Sequence, residues 1–215
     1  EISACLVGSE MCIRDRYCDL PDNYFISIPN PNTYENIEII PHKEPILLFV
    51  GRLDNRSKKL FTLIDIWYRL CKLYPQWKLI IVGDGPDKDV LINKAKDISN
   101  IEFKGYQDPR EYYEKASIFC MTSIFEGFPM CLTEAMQFGC VPIAFDSFSA
   151  VYDIIKPGET GELVKSFDKK EYVGKLIHLI DDETYRKKLS KNAFQYVKRY
   201  DIANILPKWI ELIEK

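Results

Sequence analysis

The chain has 215 residues, 47% of them hydrophobic, which is enough to bury one large core or two small ones. Its 29 basic and 32 acidic side chains leave a formal net charge of −3, so the total charge gives nucleic-acid binding no support. No stretch approaches the ~18 consecutive apolar residues of a transmembrane helix, and the seven Cys include no C-x-x-C pair or Cys/His cluster of metal spacing, with His42 and His178 far apart.

Residues 1–22 stand apart from the rest. Cys5, Cys12 and Cys18 crowd together without periodicity, and the run from Cys5 to Arg16 resembles translated sequencing-adapter read-through. The expectation is a non-native leader at 1–22 joined to a domain at 23–215, with a genuine but irregular N-terminal arm as the alternative. The run from Ile2 to Val7 is too short for a signal peptide and lacks a basic flank.

From there, Gly, Pro and Asp turns separate alternating strand-type and helix-type segments. A strand at 24–28 ends on Pro29-Asn30-Pro31. Then come a strand at 46–50, a helix at 58–73, a strand at 77–82, a helix at 86–96 and a short strand at 101–103. A helix at 109–115 precedes a strand at 118–121, and a helix at 129–138 leads to a strand at 141–145. A short helix at 149–155 and a weak strand at 161–164 follow. Residues 169–215 read as two or three amphipathic helices, with Asp181, Asp182 and Asp201 as caps or first-turn acids. This alternation predicts an α/β fold, a Rossmann-like doubly wound parallel sheet with C-terminal helices.

Charge and glycine gather where such a sheet binds ligands, beyond the carboxyl ends of its strands. Gly51-Arg52 follows the strand at 46–50, Gly83-Asp84-Gly85 follows 77–82, and Glu126 follows 118–121. The segment Glu126-Gly127-Phe128-Pro129-Met130-Cys131-Leu132-Thr133-Glu134 sets two carboxylates across the start of a helix, with Pro129 suited to its first position. Glu134 then lies about five residues inside, roughly 7 to 8 Å along the axis at about 1.5 Å per residue. The helix start between them, with free N–H groups and the positive end of the dipole, attracts phosphate oxygens. A nucleotide diphosphate sugar, hydroxyl-rich at both ends and phosphate in the middle, matches that layout. The plain alternative is a solvated loop acid and a surface helix acid.

Four segments taken together, Gly51-Arg52-Leu53 with Lys58, Gly83-Asp84-Gly85-Pro86, Glu126-Gly127-Phe128-Pro129 through Glu134-Ala135-Met136, and Gly139-Cys140-Val141-Pro142-Ile143, resemble the C-terminal, donor-binding half of a family 4 glycosyltransferase of the GT-B fold. The resemblance covers about residues 28–180 and implies a nucleotide-sugar-dependent, retaining hexosyltransferase with no bound metal or other cofactor. It gives Arg52 and Lys58 to the diphosphate, Glu126 to hydroxyls of the donor sugar and Glu134 to the ribose. The backbone of Gly51, Gly83 and Gly127 and the amides of Phe128, Met130 and Cys131 would cradle the nucleotide. The family has Gly after this Lys where the chain has Lys59, so Lys59 stands second to Lys58 for the diphosphate role and Arg56 third.

The resemblance further implies that an N-terminal acceptor domain is missing, that this half alone binds donor but transfers poorly, and that the acceptor is a glycan or lipid-linked. The stretch from Asp146 to Ile155 is similar to a loop-helix of bacterial cell-surface polysaccharide and lipopolysaccharide transferases. A cytoplasmic protein follows, with room for peripheral contact with the inner face of the membrane by the parent. Cys71, Cys120, Cys131 and Cys140, all within apolar patterns, fit free thiols in a reducing compartment. Two other readings stay open: half of a GT-B-type nucleotide-sugar epimerase, and a non-catalytic nucleotide-binding module. A two-carboxylate glycosidase would leave the strand-end glycines and the basic pair without a role. Tyr196, Tyr200 and Trp209 read as packing rather than sugar platforms.

Overall fold

The computed structural model describes residues 5–6 and 26–214; the leader expectation and the first part of the 24–28 strand therefore lie largely outside the described residues. β1 (Cys5–Leu6) and β2 (Ile26–Ser27) pair in parallel as a two-stranded ribbon. The main sheet comprises β3 (Glu44–Val50), β4 (Lys78–Val82), β5 (Ile101–Gly105), β6 (Ala116–Met121), β7 (Val141–Asp146) and β8 (Glu162–Lys165). Its order is β5-β4-β3-β6-β7-β8, and every pairing is parallel.

That order has a consequence for function. The chain builds outward from β3 through β4 to β5, then returns to lay β6 on the other side of β3 and continues outward to β8. Beyond the carboxyl ends of β3 and β6 the connections diverge to opposite sides, which opens the crevice where ligands bind in such sheets.

Strand side chains alternate between two buried layers, as a period of two requires. Leu47, Phe49, Leu79, Ile81, Ile118, Cys120, Ile143 and Phe145 enter one core, and Ile46, Leu48, Ile80, Val82, Phe119, Met121 and Ala144 the other. The first core is covered by α2 (Leu60–Leu70), which brings Leu63, Ile64 and Trp67, and by α7 (Lys169–Asp181), which brings Tyr172, Leu176 and Leu179. The second takes Leu132, Ala135 and Met136 of α5 (Met130–Gln137) and Tyr113 of α4 (Arg110–Lys115). α8 (Glu183–Val197), a 3-10 turn at Lys198–Tyr200 and α9 (Ile202–Ile213) close the domain.

The expected elements are present, with local corrections. The helix expected at 58–73 is two: α1 (Asn55–Lys58) and α2 are separated by Lys59 in the left-handed conformation at φ 51°, ψ 41°. The Asp54 side chain accepts from the Arg56 amide and Asn55 Oδ1 from the Phe61 amide, which favours this break. α3 (Lys88–Ala95) starts later than position 86 because the Asp87 amide is bonded to the Leu53 carbonyl. α6 (Val151–Ile154) is only four residues long.

Pro129 is not the first helical residue but the one before it, extended at φ −74°, ψ 97°. Asp182 caps α8 by accepting from the Tyr185 amide, and Asp168, not foreseen, caps α7. Asp201 precedes α9 without capping it, its carboxylate accepting from Asn32 Nδ2 instead, and Asp181 accepts from the Tyr74 hydroxyl. Tyr200 packs edge-on against Phe128, and Tyr196 and Trp209 pack on the second core, as expected of structural aromatics. Cys71, Cys120, Cys131 and Cys140 are free.

Candidate functional site

The carboxyl ends of β3 and β4 meet through glycines. The Gly51 amide donates to the Val82 carbonyl at 3.1 Å and the Gly83 amide to the Gly105 carbonyl at 2.8 Å, continuing the ladder past the strands. Gly83 has φ +139°, and a Cβ there would lie 1.9 Å from the Gly51 carbonyl oxygen. Close backbone approach therefore requires glycine at this position irrespective of any ligand. Beyond it, the Leu53 amide bonds the Asp84 carbonyl and the Asp84 carboxylate pairs with Lys88 at 2.6 Å, which with the Gly85 amide holds that carboxyl below its ordinary range.

These strand ends border a cavity of about 650 Å³ lined by Val50, Gly51, Arg52, Val82, Gly83, Asp84, Tyr106, Gln107, Asp108 and Pro109. Gly51, Arg52 and Gly83 thus come together as expected. Tyr106, Gln107 and Asp108 were missed, although the turn Gly105-Tyr106-Gln107-Asp108-Pro109 ends a strand in the same way as the motifs that were read.

A second group assembles beside it, at the divergence between β3 and β6. Two backbone-directed bonds clamp the loops together: Thr122 Oγ1 donates to the Lys58 carbonyl at 2.8 Å and the Ile124 amide to the Ser57 carbonyl at 2.8 Å. Lys58 Nζ consequently meets Glu126 Oε1 at 2.5 Å, and Ser123 Oγ donates to the same oxygen at 2.6 Å. The pair is only 19% and 13% exposed. Lys58 Cε lies 4.0 Å from a Cβ built on Gly51, so this lysine borders both groups. Lys59, by contrast, occupies a left-handed backbone position suited to glycine, so the chain keeps the conformation of a glycine there while substituting the residue. Arg52 and Arg56 are exposed.

α5 begins directly after Glu126. Pro129 provides no side-chain cap, and the Leu132 amide reaches the Pro129 carbonyl, so the amides of Met130 and Cys131 fall in the first turn, where no intrahelical acceptor exists. Among the described residues, and apart from its two chain neighbours, no atom lies within 4 Å of a Cβ built on Gly127. The Cys131 thiol is pushed up to about 12, by burial first and then by the nearby Glu126, with Glu134 adding to it and Lys58 opposing. One side chain thus senses Lys58, Glu126 and Glu134 together. Phe128 contributes its ring to the Tyr200 contact, at 5.4 Å between centroids.

Glu134 is the fifth residue of α5 and is held by two protein hydroxyls, Thr33 Oγ1 on Oε1 at 2.7 Å and Tyr113 on Oε2 at 2.8 Å. Neither partner nor Ser123 was foreseen; Thr33 lies 101 residues away in sequence and carries no local signal. Among the described residues no group of three or more His, Cys, Asp or Glu side chains converges as a metal site would require, and no helix is long and apolar enough to cross a membrane.

Comparison with known proteins relates this geometry to others. Residues 32–196 match the family model described as Glycosyl transferases group 1. The chain is 33% identical over 173 residues, 80% of its length and 48% of the other's, to the GalNAc-alpha-(1->4)-GalNAc-alpha-(1->3)-diNAcBac-PP-undecaprenol alpha-1,4-N-acetyl-D-galactosaminyltransferase of Campylobacter jejuni. It is 32% identical over 203 residues, 90% of its length and 56% of the other's, to the amylovoran biosynthesis glycosyltransferase AmsD of Erwinia amylovora. Among solved structures, S. aureus TarM in complex with fondaparinux, alpha-GlcNAc-glycerol and UDP superposes with a TM-score of 0.88 at 22% identity, over 98% of this chain and 43% of that one. That likeness concerns the fold. The chain spans about half the length of these curated relatives.

Proposed function

This chain belongs to the group 1 glycosyltransferases, and from that membership we propose that it is the donor-binding half of a retaining hexosyltransferase that uses a nucleotide diphosphate sugar. The observation that carries the reading is the convergence of Lys58, Glu126 and the open first turn of α5 at the point where the connections of β3 and β6 diverge. Each group then has a task. Arg52, Lys58 and the α5 amides neutralise the charge that grows on the departing diphosphate, where preorganised cations and dipoles lower a barrier most effectively. Those cations take the place a divalent metal would have. Glu126, accepting only while ionised, holds hydroxyls of the donor sugar, and Glu134 holds the ribose.

The cavity lined by Tyr106, Gln107 and Asp108 suits the base, an apolar wall with polar edges next to Gly51 and Gly83. The contact between Lys58 and Glu126 is then the resting arrangement, with each charge satisfied by the other. Donor binding replaces it, the diphosphate taking Lys58 and the sugar taking Glu126, while Ser123 keeps the carboxylate in position.

Acceptor binding belongs to a further domain of the parent protein. The names of the two curated relatives, one a transferase for an undecaprenol-linked glycan and the other a glycosyltransferase of amylovoran biosynthesis, favour a bacterial glycan or lipid-linked acceptor. With such an acceptor the parent works in the cytoplasm, in peripheral contact with the inner face of the membrane.

The test is calorimetric titration of the chain with UDP-, GDP-, ADP- and CMP-sugars, with and without Mg²⁺. Micromolar binding of one base class, unchanged by the metal, is the expected outcome. Strict dependence on Mg²⁺ would contradict the roles given to Arg52 and Lys58.

A further inference from the structure

Tyr113 is fully buried, packed against Tyr34, Phe119 and Phe138 at centroid distances of 6.3, 6.1 and 6.0 Å, yet its hydroxyl emerges onto Glu134. A phenylalanine would fill the same ring volume. The hydroxyl in such a setting must find a partner, because a buried polar group without one is costly, and the partner it finds is one oxygen of the carboxylate. Thr33 takes the other oxygen. Burial, followed by neighbouring Cys131 and Glu134, holds the Tyr113 phenol far above its ordinary range, so it remains a neutral donor.

Both donors are fixed from behind. Lys43 Nζ donates to the carbonyls of Tyr113 and Glu114 at 2.7 and 3.1 Å and anchors the end of α4. The segment bearing Thr33 is tied down on each side: the Asn32 amide donates to the Tyr200 carbonyl, and the Gln137 side chain brackets the Tyr34 backbone, accepting from its amide and donating to its carbonyl.

An ionised carboxylate has two acceptor sites on each oxygen. With one site per oxygen occupied by a protein hydroxyl, one per oxygen remains, and the carboxylate plane is locked. We propose that Tyr113 and Thr33 are positioning residues that orient Glu134 so that its two remaining acceptor sites receive a vicinal diol, the 2′- and 3′-hydroxyls of a nucleoside diphosphate. The inference rests on the reading that Glu134 faces the ribose and adds to it the residues that set its geometry.

The experiment compares the affinity of the chain for UDP, GDP, ADP and CDP with that for their 2′,3′-dideoxy counterparts. It uses the wild type, Tyr113→Phe, Thr33→Val, Glu134→Ala and the double variants with Glu134→Ala. The wild type is expected to prefer the ribo form of the nucleotide it binds. Tyr113→Phe and Thr33→Val should each reduce that preference by about three- to tenfold, less than outright loss of a hydrogen bond to a charged group because the ribose contact is loosened and not removed, and neither should add to the loss in the Glu134→Ala background. Thr33 is exposed, so its variant carries the test even if Tyr113→Phe does not fold. A ribo preference abolished by Glu134→Ala but untouched by both hydroxyl variants overturns the positioning role and leaves the ribose contact standing. Equal losses for ribo and dideoxy forms in the hydroxyl variants mark a structural role and likewise overturn it. A preference that survives Glu134→Ala, or no discrimination in the wild type, overturns both.

Discussion

Lys59 shows how much one residue's backbone can say. With φ 51° and ψ 41° it ends α1 and begins α2 in a conformation that costs a residue with a Cβ about 1–2 kcal/mol. Glycine would remove that strain but add about 0.5–1 kcal/mol of chain entropy on unfolding. Lys59→Gly is therefore expected to raise stability by up to about 1 kcal/mol, read as a higher urea midpoint at unchanged slope. Gly83 is the opposite case. Its Cβ would collide with the Gly51 carbonyl at 1.9 Å, so Gly83→Ala should cost more than about 3 kcal/mol or prevent folding, checked by the same denaturation curve. Glu126 separates two ligand classes. Glu126→Ala should weaken a sugar nucleotide by about 1–3 kcal/mol while leaving the free nucleoside diphosphate unchanged or tighter, because Lys58 loses its competing partner. Equal losses for both ligands would contradict the assignment.

At the scale of elements, the helix and strand positions were legible because apolar periodicity and turn residues report burial directly. The boundaries were not. The break at Lys59, the late start of α3 and the extended Pro129 all depend on hydrogen bonds to other segments, such as the Asp87 amide to the Leu53 carbonyl. Asp65 of α2 is a further tertiary feature, since its carboxylate joins α3 through Lys94 at 2.6 Å and α7 through Lys169 at 2.8 Å. Burial pushes this carboxyl up, but Lys169 and Lys94 outweigh it and hold it below its ordinary range. A depressed folded-state value means that the stabilisation is complete above the unfolded-state value and is lost as pH falls through the folded one. Asp65→Asn should thus cost roughly 0.2–1 kcal/mol near neutrality, the range of partly exposed ion pairs. The deficit should vanish in acid, and a deficit independent of pH would assign it to packing instead.

For the whole molecule, the sheet order decides where chemistry can happen. Returning from β5 to place β6 against β3 brings the loop after residue 121 beside the loop after residue 50, and only then do Lys58 and Glu126, 68 residues apart, form a pair. The chain spans about half the length of its curated relatives, and the donor-half role proposed above predicts that it binds donor but transfers poorly. A version extended by an N-terminal acceptor domain should raise transfer by orders of magnitude at similar donor affinity, measured as turnover of labelled sugar nucleotide. By itself the sequence determined the α/β class and the strand-end clustering of glycine and charge, because period and turn chemistry are local properties of the chain, whereas the choice of Lys58, Glu126 and Glu134 as candidates rested on the family resemblance. Only the tertiary structure decided that Tyr113 and Thr33 hold Glu134, that Ser123 shares Glu126, and that Tyr106 to Asp108 wall a cavity with Gly51 and Gly83. Those contacts join residues whose proximity no local pattern encodes, and packing across the sheet alone creates them.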